Sequence, residues 1–136
     1  MFAFLQPYLP QASGLLPKWM LFVAFTAVFN SVQNFVTTKL TQQVYSNVHV
    51  TSIQARTFAV WTLASAAIRM YAAYNITEKH VYDLALISYL IAFGHFASEI
   101  LIFKSTGFNR GSISPVIVST VSLIWMFQQY EFYTRP

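Results

Sequence analysis

Residues 81–103 read VYDLALISYLIAFGHFASEILIF. A helix needs roughly 20 predominantly apolar residues to cross the hydrocarbon of a bilayer, and this stretch is long enough by itself. Its only acidic residues and imidazole are Asp83, Glu99 and His95. The stretch therefore predicts a membrane-spanning helix and indicates an integral membrane protein.

Three further apolar stretches accompany this one. With the residues that flank them, the four predicted spans cover approximately 19–36, 57–74, 81–103 and 113–130. We predict an all-α membrane protein with a single transmembrane domain over residues 1–136, in which four transmembrane helices form a bundle. An even number of spans places both termini on the same side of the membrane.

The composition agrees with a membrane protein. Hydrophobic residues make up 56% of the 136 residues and charged residues only 9%, whereas a soluble domain carries about a quarter charged residues. The basic residues are scattered along the chain and form no cluster typical of a nucleic-acid surface. The absence of cysteine excludes disulfides and thiol catalysis.

Several residues have the type and spacing that mark the start of a helix. Thr51 and Gln54 match a capping box, which would start the second helix about a turn before the membrane. Ser114 followed by Pro115 predicts the N-cap and first residue of the fourth helix. Thr77 is the predicted cap of the third helix.

The connections between the spans differ in length. Asn75, Ile76 and Thr77 form a very short link, so the second and third helices should pack as an antiparallel hairpin. The long connection 37–55 carries apolar residues that repeat on one helical face, namely Leu40, Val44, Tyr45 and Val48. We predict that the first helix continues there, or that a short amphipathic helix lies on the membrane.

The first span carries a polar face. Thr26, Asn30, Gln33 and Asn34 share one side of a helix because they are spaced at i, i+4, i+7 and i+8. A membrane helix with one polar face usually turns that face toward other helices. This face is therefore a candidate surface for contacts within the bundle or with a partner.

Two ion pairs are predicted on the hairpin of the second and third helices. Arg69 and Asp83 lie about equally far from the link at 75–77. Arg56 and Glu99 lie near the opposite, open end of the hairpin. Such pairs would fix which helices are neighbours, and loss of one partner should be more harmful than loss of both. The alternative is that both arginines extend to lipid headgroups.

His95 and Glu99 are four residues apart on one helical face. A metal site or an acid–base pair would need further ligands or catalytic groups, and a zinc site needs at least three protein ligands. His49 and His80 are expected on opposite sides of the membrane and cannot complete a cluster with His95. We therefore predict a polar contact between helices or with a partner, and no metal, cofactor or catalytic residue.

Several strings occur in an order and spacing that resemble one family. They are LPKWMLF (16–22), VFNSVQ (28–33), ARTFAVWT (55–62), IRMY (68–71), ISYLIAFGHFASEILIF (87–103) and VSTVSLIWM (118–126). Together they resemble the ergosterol biosynthetic protein 28 family over about residues 16–134, nearly the whole chain.

The resemblance implies a non-catalytic scaffold in the endoplasmic reticulum membrane that serves ergosterol and sterol biosynthesis. The implied partners are the sterol C-4 demethylation enzymes: a C-4 methyl sterol oxidase, a sterol 4α-carboxylate 3-dehydrogenase and a 3-keto sterol reductase. A sterol C-24 methyltransferase is a further implied partner. The family has no established catalytic residues, so none is transferred to this chain.

Two other functions remain open at this point. One is a sterol- or lipid-binding membrane carrier, and the other is a small transporter or channel that uses Arg69, His95 and Glu99. We also expect a homodimer, since four short helices present much surface relative to their interior. The candidate structural or interaction residues are Asn30, Gln33, Asn34, Arg56, Arg69, Asp83, His95 and Glu99.

Overall fold

The computed structural model describes residues 8–135, and within them the secondary structure is entirely helical. The helices are α1 (Leu16–Val36), α2 (Lys39–Val44), α3 (Ser52–Tyr74), α4 (Lys79–Leu101), α5 (Arg110–Gln128) and α6 (Tyr130–Thr134). The predicted all-α class is therefore confirmed over the described part of the chain. The four long helices correspond in order to the four predicted spans.

Three of the long helices in residues 8–135 are long and apolar enough to cross a membrane. They are Leu16–Val36, Lys79–Leu101 and Gly111–Gln128. The remaining long helix, α3, has 23 residues, but its sequence is richer in small residues and contains Arg56 and Arg69. Its length suits a span, whereas its composition is less apolar than that of the other three.

The four long helices alternate in direction around a common axis. The start of α1 packs against the end of α3, where Leu16 and Met20 join Ala72 and Ala73 in one buried cluster. Halfway along the same two helices, Ala24 and Ala27 pack with Ala66. These small side chains allow the two helix backbones to approach closely.

Contacts of α5 with α1 and α4 close the bundle. The Trp19 Nε1 donates a hydrogen bond to Ser122 Oγ at 2.9 Å, and the Tyr82 hydroxyl donates to the Met126 carbonyl at 2.5 Å. Both contacts lie in the half of the bundle that contains the link between α3 and α4. That half is filled by large buried side chains, among them Leu16, Met20, Ile76, Tyr82 and Met126.

The predicted hairpin of the second and third helices is confirmed, with a link at residues 75–78. The capping box at the start of α3 is also confirmed: Thr51 Oγ1 accepts from the Gln54 amide at 3.3 Å, and Gln54 Oε1 accepts from the Thr51 amide at 2.8 Å. The prediction for Thr77 was wrong. Glu78 occupies the N-cap of α4 and makes no side-chain capping bond.

The prediction that Ser114 and Pro115 start the fourth long helix was also wrong. Asn109 is the N-cap, because its Oδ1 accepts hydrogen bonds from the amides of Gly111 and Ser112 at 2.8 and 3.0 Å. The helix therefore begins about one turn earlier, and Pro115 lies inside it. There the proline has no N–H for the carbonyl of Gly111.

The connection 37–55 contains a short helix, as predicted. Helix α2 covers Lys39–Val44 and packs against the start of α5. A Cβ at Gly111 would collide with the backbone of Gln43 and Val44, so this approach requires glycine. Val44 is buried and Leu40 is half-buried, so the apolar face of the short helix packs mainly against protein.

Candidate functional site

A cavity of about 320 Å³ lies between α1, α3, α4 and α5. It occupies the half of the bundle remote from the link between α3 and α4, and α2 and the start of α5 line its far end. Its apolar wall is largely aromatic and includes Phe58, Trp61, Tyr89 and Phe96. Its polar lining includes Thr26, Asn30, Asn34, Gln43, Ser65, Arg69 and Ser119.

Arg69 is the only charged residue that lines this cavity among the described residues. Its side chain is 7% exposed. The Nε donates to Ser88 Oγ at 3.3 Å, and Nη2 donates to the Ser88 carbonyl at 3.4 Å. The guanidinium carbon lies 4.1 Å from the centre of the Tyr89 ring, a cation–π contact.

The predicted ion pair between Arg69 and Asp83 is not formed. Asp83 instead pairs with Lys79 at 3.1 Å and accepts from the Tyr130 hydroxyl at 2.8 Å. The two residues do lie at similar depth, but side chains in a helix tilt toward its N-terminus. Because α3 and α4 are antiparallel, Arg69 points away from the link toward Ser88, and Asp83 points toward the link.

The predicted pair between Arg56 and Glu99 is not formed either. Arg56 is exposed near the start of α3. Glu99 Oε1 instead accepts from Ser105 Oγ at 2.6 Å, in the loop that follows α4. The ion pairs found within residues 8–135 are Lys79–Asp83 and Arg135–Glu131.

His95 lies in an aromatic cluster beside a second, smaller cavity. Its Nε2 is hydrogen-bonded to the Tyr45 hydroxyl at 2.5 Å, and its ring centre lies 5.0 Å from the ring centres of Trp61 and Phe96. The second cavity, of about 270 Å³, is also lined by Tyr45 and Glu99. The polar contact of His95 is made to Tyr45, directly after α2, rather than between two long helices; the alternative contact with a partner stays a prediction.

Tyr45 stays protonated in this setting. Its burial, and then the nearby Glu99 carboxylate, raise the pKa of Tyr45 well above its ordinary value. The hydroxyl therefore remains a hydrogen-bonding group for His95 at every physiological pH. Tyr45 thereby ties the loop after α2 to α4.

On the polar face of α1, some side chains are hydrogen-bonded within the protein and others are exposed or half-buried. The Thr41 Oγ1 donates to Asn34 Oδ1 at 2.7 Å, and both residues are buried. Thr26 donates to the carbonyl of Val23 in its own helix. Asn30 is exposed and borders the cavity, and Gln33 is half-buried. The structure thus brings Asn30, Asn34 and Arg69 to one cavity.

Asparagine side chains that the sequence reasoning missed join the connection between α1 and α3 to the connection between α4 and α5, and a glutamine side chain bonds within the first of these connections. Asn47 Nδ2 donates to the Lys104 carbonyl at 3.0 Å, and Asn109 Nδ2 donates to Ser46 Oγ at 2.9 Å. Gln42 Nε2 donates to the carbonyl of Val48 at 2.7 Å. Of these, only Asn109 carried a sequence signal, since asparagine directly before a helix is a preferred N-cap.

The described part of the chain contains no cluster of metal-ligating side chains. Within residues 8–135, no group of three or more His, Asp or Glu side chains lies close enough together to hold a metal ion. Asp83 and Glu99 are separately engaged, as described above. The arrangement is suited to binding an amphiphile or a partner, because it combines an aromatic-walled cavity with a few converging polar groups.

A family model and individual relatives all point to the same protein family. The family model described as "Erg28 like protein" matches residues 16–124. "Ergosterol biosynthetic protein 28" of Saccharomyces cerevisiae is 44% identical over 124 residues, which cover 89% of this chain and 84% of that protein. The protein of the same name from Schizosaccharomyces pombe is 47% identical over 117 residues, which cover 85% and 86%.

An animal protein is also similar. The "Ergosterol biosynthetic protein 28 homolog" of Mus musculus is 35% identical over 116 residues, which cover 83% of each chain. No solved structure matches the chain. The similarity to curated relatives therefore extends over most of the described helices.

Proposed function

The chain belongs to the ergosterol biosynthetic protein 28 family, and we propose that it is a non-catalytic scaffold for sterol biosynthesis in the endoplasmic reticulum membrane. The family membership is the observation that carries this proposal. The three apolar helices within residues 8–135 support the membrane location. The proposed binding partners are the sterol C-4 demethylation enzymes: the methyl oxidase, the carboxylate 3-dehydrogenase and the 3-keto reductase. The C-24 methyltransferase is a further proposed partner.

A scaffold acts through surfaces rather than reactive groups. Holding consecutive enzymes on one membrane patch raises the effective concentration of each intermediate for the next enzyme. The outer face of α1 offers such a surface, because Phe22, Phe25 and Phe29 are all more than half exposed. Large aromatic side chains on a membrane helix can pack against lipid or against a helix of a partner.

We propose that all four long helices cross the membrane and that both termini lie on the same side. Helix α3 is the least apolar of the four, so its position in the membrane depends on where its polar side chains lie. Its buried polar residues Ser65 and Arg69 line the cavity and do not face lipid. Its exposed residues include Val60 and Leu63, which suit a hydrocarbon surrounding.

The scaffold proposal is tested by purifying the tagged chain from native membranes in a mild detergent. We expect the C-4 demethylation enzymes to co-purify, and an unrelated tagged membrane protein of similar size to recover none of them. We expect deletion to raise 4-methyl or carboxylated sterols in extracted lipids, and the purified chain alone to turn over no 4-methyl sterol. An unchanged sterol profile together with no enzyme in the eluate would overturn the proposal.

The interacting face can be found with paired substitutions. Phe25→Ala with Phe29→Ala changes the outer face of α1, and Ile87→Ala with Ile91→Ala changes an exposed face of α4. If α1 carries the partner surface, the first pair lowers enzyme recovery and the second does not. Cross-linking of the same variants in membranes tests the proposed homodimer on the same faces.

A sterol- or lipid-binding carrier is the second candidate function, and the cavity of about 320 Å³ favours it. This volume is at the lower end of the range for small-molecule sites, roughly 300–1,000 Å³. A carrier would retain lipid through purification and would exchange sterol between vesicles in a saturable manner. Retained lipid without enzyme partners would favour the carrier over the scaffold.

A further inference from the structure

Arg69 is a buried cation that lacks an anionic partner among the described residues. The guanidinium has five N–H donors, and Ser88 receives two long hydrogen bonds from it. Ionisable side chains inside a membrane bundle normally pair with an opposite charge or face a polar cavity. Arg69 has the cavity but no carboxylate, since Asp83 and Glu99 are engaged with other residues.

The cavity has the composition of a site for an amphiphile with a charged head. Arg69 and Ser65 lie on its α3 wall, and Phe58 and Trp61 continue the same wall toward the start of α3. Phe96 lies on the opposing wall, on α4. A guanidinium binds carboxylate and phosphate oxygens through paired, charge-assisted hydrogen bonds, and the aromatic wall suits an apolar body.

We propose that this cavity binds an anionic amphiphile, whose carboxylate or phosphate head is held by Arg69 and whose apolar body lies along Phe58, Trp61 and Phe96. The cavity volume accommodates the head and the first part of the body. The inference does not rest on the scaffold role, because it follows from the unpaired charge and the cavity alone.

The test measures binding of three probes to the purified full chain in neutral detergent: a fatty acid, a lysophosphatidic acid and the fatty alcohol with the same chain. We expect at least one anionic probe to bind about ten-fold or more tightly than the alcohol, because charge-assisted bonds replace neutral ones. Preference for the fatty acid identifies a carboxylate, and preference for the lysophosphatidic acid identifies a phosphate headgroup. Equal binding of all three probes would overturn the inference.

Two pairs of variants locate the site. Arg69→Gln should abolish the preference for anionic probes, while Arg56→Gln removes an exposed arginine from the same helix and should keep it. Ala92→Phe fills the cavity from α4 without changing Arg69 and should weaken binding of anionic probes about ten-fold. Its control is Ala64→Phe on the exposed face of α3, which should bind as the wild type does.

These variants remain decisive if Arg69→Gln fails to fold, because Ala92→Phe leaves the arginine in place. Unchanged anionic binding in folded Ala92→Phe would overturn the inference. So would retention of the anionic preference in folded Arg69→Gln. No measurable binding of either anionic amphiphile to the folded wild-type chain would also overturn it.

Discussion

Asn34 and Thr41 form a buried hydrogen bond between the last turn of α1 and helix α2. The Thr41 Oγ1 donates to Asn34 Oδ1 at 2.7 Å, and the two residues are 2% and 1% exposed. The bond spans the turn between the helices, so it fixes the direction in which α2 leaves α1. Asn34 is therefore occupied inside the protein and is a poor choice for a partner surface, unlike the exposed Asn30.

Removing either partner of this bond should destabilise the fold. We expect Asn34→Leu and Thr41→Val each to lower the free energy of unfolding by about 1–3 kcal/mol, because each leaves one buried polar group unsatisfied. The double variant should lose less than the sum of the two single losses. Unfolding in mixed micelles by titration with sodium dodecyl sulfate measures all three, with Asn30→Leu as the exposed control; strictly additive losses would contradict the assignment.

The pKa of Tyr45 gives a prediction at alkaline pH. Burial and the Glu99 carboxylate raise the pKa of this tyrosine in the folded protein. The protonated form is therefore favoured by folding, and its contribution to stability is complete below about pH 10, the ordinary tyrosine value. That contribution is lost as the pH rises from there toward the folded pKa.

We therefore expect the melting temperature of the wild type to fall more steeply than that of Tyr45→Phe between about pH 10 and pH 11.5. Thermal unfolding in detergent, followed by circular dichroism, measures both slopes. Tyr71→Phe removes a phenol from an exposed position and controls for the loss of a tyrosine elsewhere. Parallel slopes for the wild type and Tyr45→Phe would show that the Tyr45 hydroxyl is not held as described.

At the scale of the helix, hydropathy predicted the order and approximate extent of the long helices, and the capping box at Thr51 predicted where α3 begins. The neighbours of the charged residues were not predictable from depth alone. Depth placed Arg69 level with Asp83, but rotation about the helix axis and the N-terminal tilt of side chains directed Arg69 to Ser88. The cavity was missed for a related reason, since it depends on which small residues face one another across the bundle.

Helix α2 packs against α5 through a single glycine. A Cβ at Gly111 would collide with the backbone around Gln43, and backbone cannot move aside as a flexible side chain can. We expect Gly111→Ala to displace α2 and to lower the free energy of unfolding by about 1–3 kcal/mol, the usual effect of overpacking. The melting temperature in detergent measures the loss.

Gly94 provides the matched control. It lies inside α4, and a Cβ there would meet no atom within 4 Å. Gly94→Ala should therefore be neutral or should stabilise the helix by about 0.5–1 kcal/mol, since alanine loses less backbone entropy than glycine. Equal destabilisation by both substitutions would show that the approach of α2 to α5 is not what requires Gly111.

At the scale of the whole molecule, the bundle has one filled half and one hollow half. Large side chains such as Met20, Tyr82 and Met126 fill the half near the link between α3 and α4. In the other half, small side chains such as Ser65 and Ala92 border the central space. The same division accounts for three of the polar residues of α3, because Thr62, Ser65 and Arg69 line the cavity of the hollow half.

The number of spans can be tested without mutating any native thiol, because the chain contains no cysteine. The positions for single cysteines are exposed ones: His49 and Phe108 in the loops at the cavity end, and Thr77 and Arg135 at the opposite end. If α3 crosses the membrane, an impermeant maleimide added to sealed microsomes labels positions 49 and 108 alike. Positions 77 and 135 then share the opposite accessibility.

A three-span arrangement gives a different pattern, which makes the experiment decisive. If α3 stayed outside the hydrocarbon, positions 49, 77 and 135 would share one side and position 108 would lie alone on the other. Labelling after permeabilisation shows that every thiol can react, and the cysteine-free parent shows the background. We expect the paired pattern, because Ser65 and Arg69 of α3 line the cavity and the exposed Val60 and Leu63 of the same helix suit lipid.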